Sequence, residues 1–257
     1  MIRPLMLALL GTSFTFLMTA LGAATVFFFA RAVCERAQGA LLGFAAGVMM
    51  AASVWSLILP AIEQTEAEGR LPPFLPAAAG IVLGALTLFL LDELVRRRGG
   101  GEVHSDFLLL SAITLHNIPE GLAVGVAFGA LQNGCTSESF MGAVSVAVGI
   151  GLQNFPEGAA VSVPLRREGC SRKKSFLLGQ ASGMVEPIAG VIGAWLVVYV
   201  EAILPYALSF AAGAMILVVV HELIPECQKN QKAQPYSATM GIVLGFAAMM
   251  LLDVMLG

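Results

Sequence analysis

The sequence predicts an all-α polytopic membrane protein of eight transmembrane helices, and three observations predict it. Of 257 residues, 58% are hydrophobic and only 12% charged, about half the charged share of soluble domains. Eight apolar runs reach the roughly 20 residues that a spanning helix needs. The basic residues are segregated into alternate loops, the pattern that sets orientation in membranes. The spans left between the runs are too short for a soluble domain, so the chain reads as one unit, residues 1–257, in the lipid bilayer.

Taken in order, the runs are 4–30, 40–62, 73–95, 107–131, 140–165, 175–200, 202–224 and 237–256. The first is too long for the apolar part of a cleaved signal peptide, and its nearest basic cluster follows it, so it reads as a retained helix. Arg31 and Arg36 lie between the first and second runs. Arg96, Arg97 and Arg98 follow the third. Arg166, Arg167, Arg172, Lys173 and Lys174 lie between the fifth and sixth, and Lys229 and Lys232 precede the eighth. These are twelve of the fourteen basic residues, with only Arg3 and Arg70 on the other side. The basic loops are therefore expected in the cytoplasm and both termini outside. The outer loops are acidic, with Glu63, Glu66, Glu68, Glu138 and Glu201. Acidic loops attract cations to an entrance, and salt weakens that attraction. Cys34, Cys135, Cys170 and Cys227 form no C-x-x-C pair, and only Cys135 is expected outside, so no internal disulfide or zinc knuckle is indicated.

Motifs recur across the chain. Gly-Ile-Val-Leu-Gly followed by Leu-Leu-Asp occurs at Gly80–Asp92 and again, without a gap, at Gly241–Asp253. The second run carries GFAAG from Gly43 and reaches Pro60; the seventh carries SFAAG from Ser209 and reaches Pro225. The fourth holds HNIPEG (His116–Gly121) and the fifth QNFPEG (Gln153–Gly158). The second run thus maps to the seventh, the third to the eighth and the fourth to the fifth, each pair crossing in opposite senses. An inverted-topology repeat arranged three-two-three follows, the plan of many secondary transporters, with the substrate near the midplane.

Ionisable groups inside spanning helices cost about 2.5–3.5 kcal/mol on insertion scales and are functional candidates. Glu120, Glu157 and Glu186 lie near the middles of the fourth, fifth and sixth runs, beside His116, Asn117, Gln153 and Asn154. Glu120 follows His116 by four residues and Asn117 by three, so one helix face presents all three side chains. Gln153, Asn154 and Glu157 repeat that layout. Imidazole with carboxylate and amide oxygen suits zinc, iron, manganese and related divalent ions. The lack of a thiolate at this depth argues against a Cu(I) site. Pro119 and Pro156 each remove an N–H and are expected to break or bend their helices, and Gly121 and Gly158 permit close approach.

Towards the inner face, His221, Glu222, Pro225 and Glu226 form HELIPE, which has proline where H-E-x-x-H has its second histidine. We read His221, Glu222 and Glu226 as an exit route to the cytoplasm. His104, in the loop RRRGGGEVHSD, is either a relay on that route or a solvated loop residue. Asp92 and Asp253, at matched positions, read as caps or gating residues, and Ser53 and Ser182 as small packing residues.

The paired P-E-G motifs, a glutamate in the sixth run and H-E-x-x-P-E in the seventh resemble the ZIP family of metal-ion transporters along essentially the whole chain. The compact bacterial branch, with a short loop between the third and fourth helices, is the most similar. The resemblance implies uptake of divalent transition metals, usually zinc, into the cytoplasm across a bacterial inner membrane. It puts His116, Asn117, Glu120, Gln153, Asn154, Glu157 and Glu186 around a one- or two-metal transport site, and implies a homodimer. Many members have His where this chain has Gln153, some have Asp at Asn154, and a His-rich cytoplasmic loop is common in the family but missing here. The chain is expected to be no enzyme and to bind no nucleic acid, its metal being cargo rather than catalytic cofactor. A metal-gated channel or sensor, and an intramembrane metallohydrolase, are the competing readings; the hydrolase would need an open catalytic metal and a general base.

Overall fold

The computed structural model describes residues 2–28, 35–69, 71–98, 105–167, 169–199, 201–228 and 236–256. Every regular element among them is helical. The long rods are α1 (Ile2–Phe28), α2 (Glu35–Ala52) continued by α3 (Leu59–Glu68), α4 (Phe74–Arg98), α5 (Ser105–Ala130) and α6 (Ser137–Arg167). They are followed by α7 (Arg172–Gly183) continued by α8 (Val185–Tyr199), α9 (Leu204–Val218) continued by α10 (Ile224–Gln228), and α11 (Ser237–Leu256). Six stretches among the described residues are long and apolar enough to cross a membrane: Arg3–Phe28, Arg36–Glu68, Phe74–Leu94, Arg172–Val198, Leu204–Gln228 and Ser237–Leu256. The two rods outside that set, α5 and α6, carry the P-E-G motifs. Arg31, Cys34, Arg70, His104, Lys229 and Lys232 lie outside the described residues.

Three rods change winding midway. A π-helical segment, Ser53–Ile58, joins α2 to α3, and another, Val219–Leu223, joins α9 to α10. A π turn holds an extra residue without ending the helix. Between α7 and α8 the helix is interrupted at Met184, three residues ahead of Pro187, whose missing N–H cannot continue the ladder. Pro119 and Pro156, in contrast, sit inside α5 and α6, which remain helical through both. No interruption of the winding therefore falls at either proline, and the bend expected of each is a matter of axis direction rather than of winding. The interruption nearest the carboxylates is in the glutamate-bearing sixth rod.

The most intimate pairs are α2 with α11, α4 with α9, α1 with α6 and α5 with α8. Small residues bring the backbones together, as they do in membrane helix pairs. A Cβ at Gly47 would collide with the Ile242 carbonyl, and one at Gly213 with the Ile81 carbonyl. Gly245 meets the Phe44 carbonyl as Gly84 meets that of Phe210. On α11 the buried residues are Ala238, Gly241, Gly245 and Met249, a single stripe three to four residues apart. Its other faces expose Val243, Leu244, Leu251 and Val254, as expected where the surrounding solvent is hydrocarbon.

Two bundles result. One holds α1, α5, α6, α7 and α8; the other holds α2, α3, α4, α9, α10 and α11. Met49, Leu57, Ile150, Met215, Val124 and Met249 are fully or almost fully buried and belong to one apolar cluster that joins the bundles. The polar residues of the P-E-G motifs lie within the first bundle.

Candidate functional site

Asn117 and Glu120 come from α5, Gln153, Asn154 and Glu157 from α6, and Glu186 from the first turn of α8. Helical spacing puts the α5 pair on one face and the α6 trio on another, and α5 packs on both α6 and α8. Gly121 lets α8 close in: a Cβ there would lie 2.5 Å from the Glu186 carbonyl oxygen and 2.8 Å from its Cα. Gly158 admits α1 instead, since its Cβ would run into the Thr19 carbonyl. Both glycines thus serve close approach to helices other than their own partner in the motif pair.

Glu120, Gln153 and Glu186 are fully buried, Asn117 and Asn154 almost so, and Glu157 half-buried. Gln153 Nε2 donates to Glu120 Oε1 at 3.0 Å, linking the two motifs directly. Asn154 Nδ2 donates to Glu186 Oε2 at 2.8 Å, and Asn117 Nδ2 to Glu186 Oε1 at 3.2 Å. All three amide nitrogens are thus turned to carboxylates. Among the described residues, Asn117 Oδ1, Glu120 Oε2, Gln153 Oε1, Asn154 Oδ1 and Glu157 Oε1 are buried and accept no hydrogen bond.

That imbalance is the chemically informative feature. A buried acceptor without a donor costs about 1–3 kcal/mol, and this cluster concentrates five of them on two facing helices. Together they approach the whole net stability of an ordinary domain, roughly 5–15 kcal/mol. A cation bound among them would offset that cost for each oxygen that faces it, and would supply a counter-charge to carboxylates that lie within mutual electrostatic range. Oxygen donors of this kind fit a divalent ion. Among the described residues no three His, Cys, Asp or Glu side chains close into a tight cage. The donor set is mixed instead, carboxylate and amide. The His116 side chain lies outside the described residues, and so does His104.

At the other polar positions, His221 falls within the π segment Val219–Leu223 and is exposed, while Glu226 on α10 is also exposed and Glu222 is half-buried. Ser53 and Ser182 donate to carbonyls of their own helices, Met49 and Gly179, at 2.8 Å each. Asp253 accepts from Ser56 Oγ at 2.8 Å and from Ser145 Oγ at 3.3 Å, tying α11 to the π segment and to α6.

The site also holds residues that the motif comparison missed. Thr19 Oγ1 on α1 lies 3.2 Å from Glu186 Oε1, and the Thr15 carbonyl accepts from Asn154 Nδ2 at 3.3 Å. Thr12, Thr15 and Thr19 are buried on one face of a mainly apolar helix. Their spacing of three and four residues was the available signal.

The family described as ZIP Zinc transporter matches residues 100–253. Among individual proteins, the human zinc transporter ZIP11 is 40% identical over 97% of this chain and 97% of its own length. The zinc transporter ZIPB of Bordetella bronchiseptica is 39% identical over 97% of this chain and 81% of its own. The zinc transporter GufA of Myxococcus xanthus is 37% identical over 87% and 89%.

Proposed function

Because this chain belongs to the ZIP zinc transporter family, we propose that it carries divalent transition-metal ions, zinc foremost, through the membrane into the cytoplasm. It is an integral membrane transporter of metal ions, acting as a secondary carrier of the bacterial inner membrane. Iron, manganese, cobalt and cadmium are further candidate cargoes. The observation behind the reading is the set of unpaired oxygens on Asn117, Glu120, Gln153, Asn154 and Glu157. With His116 and Glu186 these residues make the transport site, and His221, Glu222, Glu226 and His104 make the way out.

The mechanism is alternating access, in which one bundle shifts against the other. Close packing within each bundle supports it: backbone-to-backbone contacts at Gly22, Gly121 and Gly125 join helices of the first bundle, and those at Gly47, Gly84, Gly213 and Gly245 join helices of the second. Each bundle is therefore stiff enough to move as a body, and the site travels with the first. The desolvated carboxylates give the site affinity for a cation over water, and the amide oxygens complete its coordination without adding charge. An ion held by neutral oxygens on two sides leaves more readily than one held by carboxylates alone.

The architecture we propose has eight spans, α5 and α6 being the remaining two, built as an inverted repeat with both termini outside. Its support is reciprocal packing. The repeat pairs Phe44 with Phe210, Gly47 with Gly213, Ile81 with Ile242 and Gly84 with Gly245, and each close contact recurs between the paired residues. The protein works as a single domain, residues 1–257, and as a homodimer.

The test is metal flux into liposomes containing purified protein, comparing the wild type with Glu120→Ala and Glu157→Ala. Saturable, temperature-sensitive zinc flux that both substitutions remove is the expected result. Unchanged flux in both variants would exclude the assigned site, and non-saturable flux would favour a channel.

A further inference from the structure

Helix α1 holds no acidic, amide, imidazole or thiol side chain, yet it reaches the centre of the site. Thr19 Oγ1 lies 3.2 Å from Glu186 Oε1 and 3.3 Å from the Thr15 carbonyl. A hydroxyl has one proton to give, and a carboxylate is the stronger acceptor, so the proton goes to Glu186. Gly183 makes the approach feasible. A Cβ there would lie 3.0 Å from Glu186 Oε1 and 3.0 Å from Thr19 Cβ, wedged between the two.

Counting acceptors shows what Glu186 does. A carboxylate offers about four lone-pair directions. Oε1 receives Thr19 and Asn117, and Oε2 receives Asn154. Three of the four directions are thus filled by donors from α1, α5 and α6, and the Thr15 hydroxyl, which donates to the Thr12 carbonyl at 3.0 Å, faces Glu186 as well. The donors from α5 and α6 are the nitrogens of amides whose oxygens, Asn117 Oδ1 and Asn154 Oδ1, have no partner. An amide has two different ends, and only its oxygen ligates a cation.

We propose that Thr19 is a positioning residue: it fixes Glu186, which in turn holds Asn117 and Asn154 with their oxygens towards the transported ion. Glu186 is then chiefly the frame of the site, and the amides are its inner surface. The Thr15 carbonyl is a second brace, since it takes another proton from Asn154 Nδ2. The inference rests on the proposed reading of Asn117 and Asn154 as facing the ion.

The experiment compares Thr19→Val, which keeps the shape and removes the donor, with Thr19→Ser, which keeps the donor. Zinc uptake into liposomes gives KM and maximal rate, and thermal midpoints are taken with and without zinc. Thr19→Val is expected to raise KM by about tenfold, the scale of one lost hydrogen bond to a charged group, with the zinc-free midpoint close to wild type. Thr19→Ser is expected to stay near wild type. In an Asn154→Asp background, where both ends of the side chain are oxygen, the effect of Thr19→Val should shrink. Equal KM values for Thr19→Val and Thr19→Ser would overturn the proposal, as would a Thr19→Val loss that appears entirely in the zinc-free midpoint. Absence of zinc flux in the wild type would sink the transport reading instead. The zinc-induced midpoint shift would still have to be smaller in Thr19→Val than in Thr19→Ser.

Discussion

Gln153 Nε2 donates to Glu120 Oε1 across 3.0 Å, so the two P-E-G motifs touch through a residue that only the second of them carries. The counterpart of Gln153 in the first motif is His116. Gln153 therefore occupies one Glu120 oxygen with a donor and leaves its own oxygen, Oε1, unpaired, as Glu120 Oε2 is.

Replacing Gln153 with His keeps a donor for Glu120 and swaps an amide oxygen for an imidazole nitrogen, a better zinc ligand. Zinc should bind about tenfold more tightly, the equivalent of 1.4 kcal/mol, and leave more slowly. Calorimetry in detergent measures the first effect and efflux from loaded liposomes the second. No change in affinity would mean that Gln153 does not face the ion.

Glu120→Ala and Glu157→Ala should reduce zinc flux to the level of empty liposomes while the protein still folds. Removing Glu120 takes an unpaired buried oxygen out of the core but leaves Gln153 Nε2 without its acceptor, so its zinc-free thermal midpoint should stay close to that of the wild type. A large drop in midpoint would instead mark Glu120 as structural.

Ser56 and Asp253 couple a π segment to α11. Ser56→Ala and Asp253→Asn should each lower the thermal midpoint, and the double variant should cost less than their sum, with a coupling of roughly 1 kcal/mol. Strict additivity would show that the contact contributes nothing.

Gly47→Ala and Gly213→Ala should both destabilise, by about 1–3 kcal/mol each, because each added methyl meets a carbonyl of the partner helix. Gly142→Ala on α6, where the space is open, is the control and should be neutral or better. Detergent unfolding of the three variants compares them directly.

Much of this was legible in the residues. Apolar run length and the placement of Arg and Lys locate the rods to within a few residues, because hydrocarbon thickness imposes their length. The carboxylates and amides of the site stand out because burying them is costly. Thr15 and Thr19 do not stand out, because a threonine inside a helix can satisfy its hydroxyl on its own backbone, as Thr12 does on Ala8. Only the arrival of Glu186 gives Thr19 a second acceptor. The interruption of the sixth rod was not legible: α5 and α6 stay helical through Pro119 and Pro156, and the winding yields at Met184, where Gly183 adds freedom just ahead of Pro187.

From the glycine of the FAAG motif to the proline that ends it, α2 and α3 count one residue more than α9 and α10: Gly47 to Pro60 against Gly213 to Pro225. The π segments differ by the same single residue, Ser53–Ile58 having six and Val219–Leu223 five. On the proposed repeat, the two halves differ here by that one residue. In a soluble protein such an insertion drifts to a loop. In a helix hemmed in by lipid an extra residue is held in the winding, and the longer π segment holds it here. The one-residue asymmetry of the halves thus shows as a difference in pitch.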